Sequence, residues 1–195
     1  MGKKSYAVIG LGKFGYAVAE TLAKAGFEVM AVDTDEEIVH SIAKEVSYAA
    51  RADITETGVL ESLGISNVDV VVVGVAENME ASIMATIFAK EAGVKYVMAK
   101  AVNKLHATIL KKVGADEIIH PEWSMGTRVA KNLMSGGFVD FFELSSKFSL
   151  AELPVPEEWA GKTLIDLNLR DKFGVNVVGV KVGDDVQVNV KPDQP

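Results

Sequence analysis

The 195-residue chain contains no cysteine, so it can form neither a disulfide nor a thiolate metal site. It also lacks any block of Lys and Arg, and its 20 basic against 27 acidic residues give a net charge of −7. A nucleic-acid surface normally requires a basic stripe, so this balance argues against a nucleic-acid partner. A local positive pocket for phosphates remains compatible with it.

Long apolar runs are missing as well. The longest, Val70–Ala76, is far shorter than the roughly 20 residues that span a bilayer. The N-terminus has only a brief apolar run after two lysines, which excludes a signal peptide, and Tyr6 stands where a myristoylation signal needs Ser or Thr. We therefore expect a cytoplasmic protein whose membrane role, if any, comes through a partner.

The clearest motif present is the G-x-G-x-x-G stretch Gly10-Leu11-Gly12-Lys13-Phe14-Gly15. An apolar run at 6–9 predicts a strand before it, and residues 16–25 predict a helix after it. In that setting the first glycine permits a tight turn and the second lets backbone approach a phosphate. The third lets the helix pack on the strand, and the helix start forms an anion site. The alternative is a simple tight turn, but a second strand at 28–32 ends in Asp33, whose carboxylate suits ribose hydroxyls.

Strands and helices continue to alternate with short connections as far as residue 134. The run Asp69–Val75 is β-branched and apolar on both faces, which is typical of the centre of a parallel sheet. This rhythm predicts an α/β fold, a Rossmann-like doubly wound parallel sheet. In such sheets, ligands bind beyond the carboxyl ends of the strands. The residues expected there are Gly10–Gly15, Asp33, Asp53, Ala76, Glu77, Asn78, Lys100 and Glu122.

The rhythm stops at Ser135-Gly136-Gly137, which predicts a boundary between a first domain at 1–137 and a second at 138–195. Within the second, 138–155 predicts two strands and 162–173 predicts a helix. Residues 175–190 alternate about Gly183-Asp184-Asp185, which is a hairpin signal. We expect a small α+β domain that is truncated or has a disordered tail, since Pro192–Pro195 should lead into another strand.

Several short segments together resemble the RCK family, which regulates K⁺ conductance and is also described as a TrkA-N/TrkA-C pair. Within it, the chain looks most like the KtrA type of bacterial gating subunit. The segments are AVIGLGKFG at 7–15, AVD at 31–33, ADITE at 52–56, AENMEAS at 76–82, AKA at 99–101, GADEIIHPE at 114–122 and LIDLNLRDKFGVNVVGVK at 164–181. The resemblance departs in the missing C-terminal strand and in Lys13, where many relatives have Arg.

The resemblance implies a non-enzymatic cytoplasmic ring, typically of eight chains, beneath a membrane subunit that transports K⁺. ATP or ADP, or alternatively NAD(H), would bind the first domain and change the shape of the ring to open or close the pore. A divalent cation or Na⁺ would lie near the phosphates. The second domain resembles one that binds cyclic di-AMP at a dimer interface.

The same resemblance implies roles for individual residues. Gly10, Gly12 and Gly15 would line the phosphates with Leu11 and Phe14, and Asp33 would hold the ribose. Asp53 would border the adenine, and Ala76, Glu77 and Asn78 would lie along the nucleotide. Lys13 would reach the terminal phosphate, Lys100 would add charge near the phosphates, and Glu122 would help to hold the cation between two subunits. The cyclic di-AMP candidates are Ile165, Asp166, Asn168 and Arg170.

Structural interpretations compete with several of these roles. Lys13 can be a solvated loop cation, Asp53 a helix N-cap and Asn78 the cap of the following helix. Glu122 can be an exposed acid in a first helical turn, where the dipole stabilises it by roughly 0.3–1 kcal/mol. Asp166 and Asn168 can be surface positions of an amphipathic helix. We expect His120 to be a hydrogen-bonding residue at a strand end rather than a ligand.

Two other functions compete with the regulatory one. An NAD(P)-dependent oxidoreductase would need a proton donor beside the nicotinamide, but the chain has no Tyr-x-x-x-Lys pair and its second domain has no constellation of titratable groups. A redox-sensing Rossmann repressor would need a helix-turn-helix with basic residues, and the sequence shows none.

Overall fold

In a computed structural model, six parallel strands form one sheet in the order β3-β2-β1-β4-β5-β6. The structure describes residues 4–75, 77–134, 141–145, 148–183, 185–188 and 190–193. The sheet strands are β1 (Ser5–Ile9), β2 (Glu28–Asp33), β3 (Tyr48–Arg51), β4 (Val70–Val73), β5 (Tyr96–Lys100) and β6 (Glu117–Ile119). The strand order reverses between β1 and β4, which confirms the doubly wound Rossmann-like fold predicted from the sequence.

Helices cover both faces of this sheet. They are α1 (Lys13–Lys24), α2 (Glu36–Ile42), α3 (Val59–Ser62), α4 (Met79–Glu91) and α5 (Lys104–Lys112), and α6 (Pro121–Met134) follows β6. Alternate residues of β4 point to opposite faces. Val72 joins one buried cluster with Ala19 of α1, and Val71 joins another with Leu110 of α5. Burial on both faces explains why β4 is apolar throughout.

The chain divides into two compact units, residues 1–126 and 127–195. The predicted boundary at Ser135-Gly136-Gly137 lies outside the described residues, so the domain limits at 137 and 138 stay a prediction. Among the residues that the structure describes, no helix combines the length and the apolar character needed to cross a bilayer.

After α6, the described part of the second unit includes two antiparallel hairpins and two short α-helices. The first hairpin pairs β7 (Phe141–Ser145) with β8 (Phe148–Ala151), and the second pairs β9 (Val180–Val182) with β10 (Asp185–Gln187). The second hairpin confirms the predicted one in position, since Val182 pairs with Asp185 and Gly183 adopts a positive φ of 64°. Its strands are shorter than the predicted range of 175–190, and Asp185 belongs to β10 rather than to the turn. Asp184 lies outside the described residues.

The helix predicted at 162–173 is wrong as one continuous element. It is divided into α7 (Leu164–Leu167) and α8 (Leu169–Phe173) at Asn168, whose φ of 46° and ψ of 48° are left-handed. Asparagine adopts this left-handed conformation more readily than most residues. The apolar pattern of the sequence continues past Asn168, so the pattern does not reveal the break in the helix.

Candidate functional site

The glycine-rich loop lies between β1 and α1, at the point where the strand order reverses. Gly10 has a φ of +86°, and its N–H donates to the Val32 carbonyl at 2.8 Å. Gly12 is the N-cap of α1 and makes no side-chain cap, so the first N–H groups of this 12-residue helix have no side-chain capping partner among the described residues. Lys13 is exposed at that helix start. The arrangement suits an anion.

The helix therefore starts earlier than predicted. The sequence places its first residue at Tyr16, whereas α1 begins at Lys13, so the second half of the glycine motif forms the first helical turn. As a result Lys13 and Phe14 project from a helix rather than from a loop.

Asp33, the last residue of β2, holds the loop in place. Its Oδ2 accepts a hydrogen bond from the Leu11 N–H at 2.5 Å, and its Oδ1 accepts one from the Asp35 N–H at 2.9 Å. The carboxylate is half-buried, and each oxygen keeps a second lone pair for a ligand hydroxyl. The structure thus brings together the phosphate-loop and ribose candidates.

Lys100 and Glu122 also meet at this edge of the sheet. The Lys100 Nζ at the end of β5 donates to Glu122 Oε1 at 2.5 Å and lies 6.0 Å from the centroid of the Phe14 ring. The Lys100 side chain is 10% exposed and that of Glu122 is 71% exposed. The hydrogen bond from Lys100 lowers the pKa of Glu122, with a smaller contribution from a backbone N–H.

The segment after β4 has a structural role that the sequence left open. Asn78 caps α4, because its side-chain oxygen accepts from the Ala81 N–H at 3.0 Å. Glu77, just before it, is exposed. Ala76 lies outside the described residues.

Asp53 forms a local turn after β3. Its Oδ1 accepts from the Thr55 hydroxyl at 2.6 Å and from the Thr55 N–H at 2.9 Å, and these bonds lower the pKa of Asp53, the hydroxyl most. The alternative role of Asp53 as a helix N-cap is wrong, because the N-cap of the next helix, α3, is Gly58. The Asp53 carboxylate is therefore held by hydrogen bonds within its own turn, independently of any bound adenine.

The four cyclic di-AMP candidates lie around the break between α7 and α8. Asp166 forms a capping box with Thr163, and this hydroxyl and its N–H lower the pKa of Asp166. Ile165 is 64% exposed, and Asn168 and Arg170 are exposed. A neighbouring cleft of about 420 Å³ includes Asp166, but the other three candidates do not line it; its walls include Trp159, Lys162, Leu169, Lys172 and Phe173.

No group of three or more His, Asp or Glu side chains placed to hold a metal occurs among the described residues. Glu122 supplies one carboxylate, and its nearest partner is an ammonium group. Hard cations take six or more oxygen ligands, so Glu122 fits a cation only together with phosphate oxygens, water or a second copy of the chain.

Sequence reasoning missed two residues at this edge. Gly74, after β4, packs directly on the loop: a Cβ there would lie 2.7 Å from the Gly10 carbonyl oxygen. A glycine within an apolar run signals such a close approach. Arg51 ends β3 and is the register partner of Asp33. Nothing in the local sequence identifies Arg51, because its position depends on the pairing of β2 with β3.

His106 and His120 lie close to the same edge. The His120 Nδ1 lies 3.1 Å from the Ala101 carbonyl oxygen and must donate to it, which confirms the strand-end role predicted for His120. His106 is fully buried in α5, and its Nδ1 accepts weakly from the Val102 N–H at 3.4 Å. Its Nε2 has no hydrogen-bond partner within the part of the chain that the structure describes.

We expect His106 to make the protein less stable as the pH falls. Burial, and then the charge of His120, lower the pKa of His106 from 6.5, so the unfolded chain takes up a proton before the folded one. The free energy of unfolding should fall as the pH drops from 6.5 to the pKa that His106 has in the folded state, with a limiting slope of about 1.4 kcal/mol per pH unit.

Urea unfolding between pH 7.5 and 5.5 measures this slope. In His106→Leu the slope should flatten, because the titrating group is gone and Val102 can bond to water instead. His40→Gln, at an exposed position of α2, should keep the wild-type slope. A wild-type slope in His106→Leu would contradict the assignment.

Comparison with known proteins shows where this architecture recurs. The family model of the TrkA-N domain matches residues 6–121. Ktr system potassium uptake protein C of Bacillus subtilis is 45% identical over 187 residues, which cover 96% of this chain and 85% of that protein. Ktr system potassium uptake protein A of the same organism is 38% identical over 190 residues, covering 97% and 86%.

Solved structures share the fold at lower identity. The GsuK channel bound to NAD superposes with a TM-score of 0.60 at 21% identity, covering 100% of this chain and 34% of that one. GsuK bound to ADP gives a TM-score of 0.56 at 21% identity, covering 68% and 34%.

Proposed function

The chain belongs to the TrkA-N family, among the Ktr-type potassium uptake proteins, and on that premise we propose that it is a nucleotide-sensing subunit that regulates a membrane potassium transporter without catalysing a reaction. The observation that carries the proposal is the uncapped start of α1 at the switch point of the sheet, held by Asp33 and faced by Lys100.

The ligand that suits this edge is an adenine nucleotide. The free N–H groups of α1, with Lys13 and Lys100, supply positive charge for phosphates, and the spare lone pairs of Asp33 suit ribose hydroxyls. We propose ATP and ADP as the regulatory pair, with NAD(H) as the alternative. Solved relatives bound to NAD and to ADP support nucleotide binding on this fold.

A modest difference between two nucleotides is enough to switch a ring. Moving a two-state equilibrium from 1:99 to 99:1 takes about 5.5 kcal/mol. Eight equivalent sites would share this at under ~1 kcal/mol each, so one contact to the γ-phosphate per site suffices. The octameric ring belongs to the proposal, and the exposed apolar side chains of α6, including Trp123 (79%) and Leu133 (73%), support association of copies.

The proposed function also involves a membrane partner, a cation and a second nucleotide ligand. The regulated protein would be an integral membrane potassium-transporting subunit, with this chain bound at its cytoplasmic side. A divalent cation or Na⁺ would bind Glu122 together with the γ-phosphate. Residues 138–195 would form a TrkA-C-like domain, with cyclic di-AMP near Ile165, Asp166, Asn168 and Arg170.

Differential scanning fluorimetry with ATP, ADP, NADH and NAD⁺, with and without Mg²⁺, tests the proposal. A ligand at 100 times its Kd stabilises the folded state by about 2.7 kcal/mol, which is a clear rise in Tm. Light scattering on the same samples reports assembly. No shift with any nucleotide, or consumption of NADH in the presence of a metabolite, would refute the proposed function.

Lys13→Ala should weaken discrimination between ATP and ADP. Lys13 is exposed at the start of α1, where it can meet a terminal phosphate. We expect ATP affinity to fall about tenfold, which is the loss of one charge-assisted contact, with little change for ADP. Isothermal titration calorimetry with both nucleotides measures the ratio.

Lys24→Ala is the matched control. Lys24 ends the same helix and pairs with Glu20 at 2.8 Å, so its removal changes the net charge equally but far from the loop. Equal losses for ATP and ADP in Lys13→Ala would contradict a γ-phosphate contact.

A further inference from the structure

An exposed ion pair lies beside the proposed ribose site. Arg51 ends β3 opposite Asp33, and its Nη1 donates to Glu36 Oε2 at 3.0 Å. Its Nε donates to the Thr34 carbonyl oxygen at 3.1 Å. The guanidinium group is therefore tied to the backbone directly after Asp33 and to the first residue of α2.

We propose that this pair, together with Asp33, selects nucleotides with a free ribose 2′-hydroxyl and rejects those that carry a 2′-phosphate. The inference rests on the proposed function, in which Asp33 accepts the ribose hydroxyls. A group on the 2′-oxygen would then project from Asp33 toward its neighbours on β3 and α2.

The charges there disfavour a phosphate. An arginine near the acid at the end of the second strand is the usual means of accommodating a 2′-phosphate in this fold. Here Glu36 already neutralises Arg51, and Thr34 occupies its Nε–H. Asp33, Asp35 and Glu37 add negative charge on the same turn. Like charges brought together disfavour a ligand, and binding sites use such repulsion to reject the wrong partner.

Calorimetry with adenosine 5′-monophosphate and adenosine 2′,5′-bisphosphate, which differ only in the 2′-phosphate, provides the test. We expect the wild-type protein to prefer the 5′-monophosphate at least tenfold. NADH against NADPH should show the same direction of preference. Glu36→Gln should narrow the ratio at least threefold by releasing Arg51 to the 2′-phosphate, with affinity for the 5′-monophosphate unchanged. The side chains of Arg51 and Glu36 are 63% and 77% exposed, so the variant should keep the wild-type Tm.

Glu37→Gln is the matched control, since it makes the same charge change one residue further along α2 and should narrow the ratio less than Glu36→Gln does. Arg51→Gln should widen the ratio, because it leaves the carboxylates without a counter-charge. Equal wild-type affinity for the two ligands, or a ratio in Arg51→Gln that is narrower than in the wild-type protein, would overturn the inference and leave the proposed function intact. Failure of the wild-type protein to bind adenosine 5′-diphosphate would overturn both.

Discussion

Replacing Gly15 by alanine is expected to destabilise the first unit by about 3 kcal/mol or more and to abolish nucleotide binding. A Cβ at this position would overlap the carbonyl oxygen of Gly10 and lie 3.0 Å from its carbonyl carbon. Inserted atoms normally cost about 1–3 kcal/mol in a packed site. The obstacle here is backbone that Gly74 also approaches closely, so it has little room to move.

Gly12→Ala tests the effect of the glycine motif on ligand binding separately from its effect on stability. Gly12 has an ordinary φ of −58°, and a Cβ there would meet no atom within 4 Å in the described part of the chain. Its Tm without ligand should match that of the wild-type protein. Its affinity for ADP should still fall at least tenfold, because the added methyl group occupies the space where a phosphate approaches the backbone. Thermal unfolding measures the Tm of Gly15→Ala and of Gly12→Ala, and calorimetry measures the affinity of each variant for ADP.

Two outcomes would contradict this argument. A Gly15→Ala protein with the wild-type Tm would show that the loop does not pack as the structure has it. A Gly12→Ala protein with unchanged affinity for every nucleotide would show that no phosphate lies on this loop.

The elements of the first unit could be predicted because their apolar patterns are local. The run at β4 (Val70–Val73) is apolar at every position, which only a strand buried on both faces requires. Asn78 could be recognised as a possible cap from its place before an apolar helix. The start of α1 could not be fixed, since a glycine motif contains both a turn and the first helical turn, and sequence spacing does not divide them.

The details of the site depend on pairings between distant residues. The hydrogen bond from Leu11 to Asp33 and the contact of Arg51 with Thr34 arise only when β1, β2 and β3 lie side by side. The sequence placed Lys100 and Glu122 at one edge but could not show them paired. The break at Asn168 was missed for a different reason: one left-handed residue interrupts a helix without changing its apolar pattern.

The ion pair of Lys100 with Glu122 leads to the second large effect. Glu122→Gln should destabilise the protein by about 1–2 kcal/mol, since it leaves the ammonium group of a side chain only 10% exposed without its carboxylate. Breaking a fully buried pair costs about 3–5 kcal/mol. We expect less here because Glu122 is 71% exposed. The wild-type contribution should also disappear as the pH falls through the lowered pKa of Glu122, because the carboxylate is then protonated.

When it is combined with Glu122→Gln, Lys100→Met should reverse the loss of stability. Its effect on ATP affinity should show whether Lys100 contacts a phosphate. The variant removes the buried charge itself, so the double variant Lys100→Met with Glu122→Gln should be about as stable as Lys100→Met alone. Both should lose affinity for ATP by about 10- to 100-fold, which corresponds to the 1.5–3 kcal/mol of a charge-assisted hydrogen bond. Urea unfolding and calorimetry measure the two properties separately.

Lys90→Met is the matched control, because Lys90 also forms an ion pair, with Asp116 at 3.0 Å, and also donates to the Val94 carbonyl oxygen. Those contacts lie before β5 and β6, at the opposite edge of the sheet from the glycine loop. Lys90→Met should therefore change the free energy of unfolding and leave the affinity of the protein for ATP unchanged. If Lys100→Met bound ATP as tightly as Lys90→Met, Lys100 would be a structural residue that neutralises Glu122, and the phosphate charge would have to come from Lys13 and the start of α1.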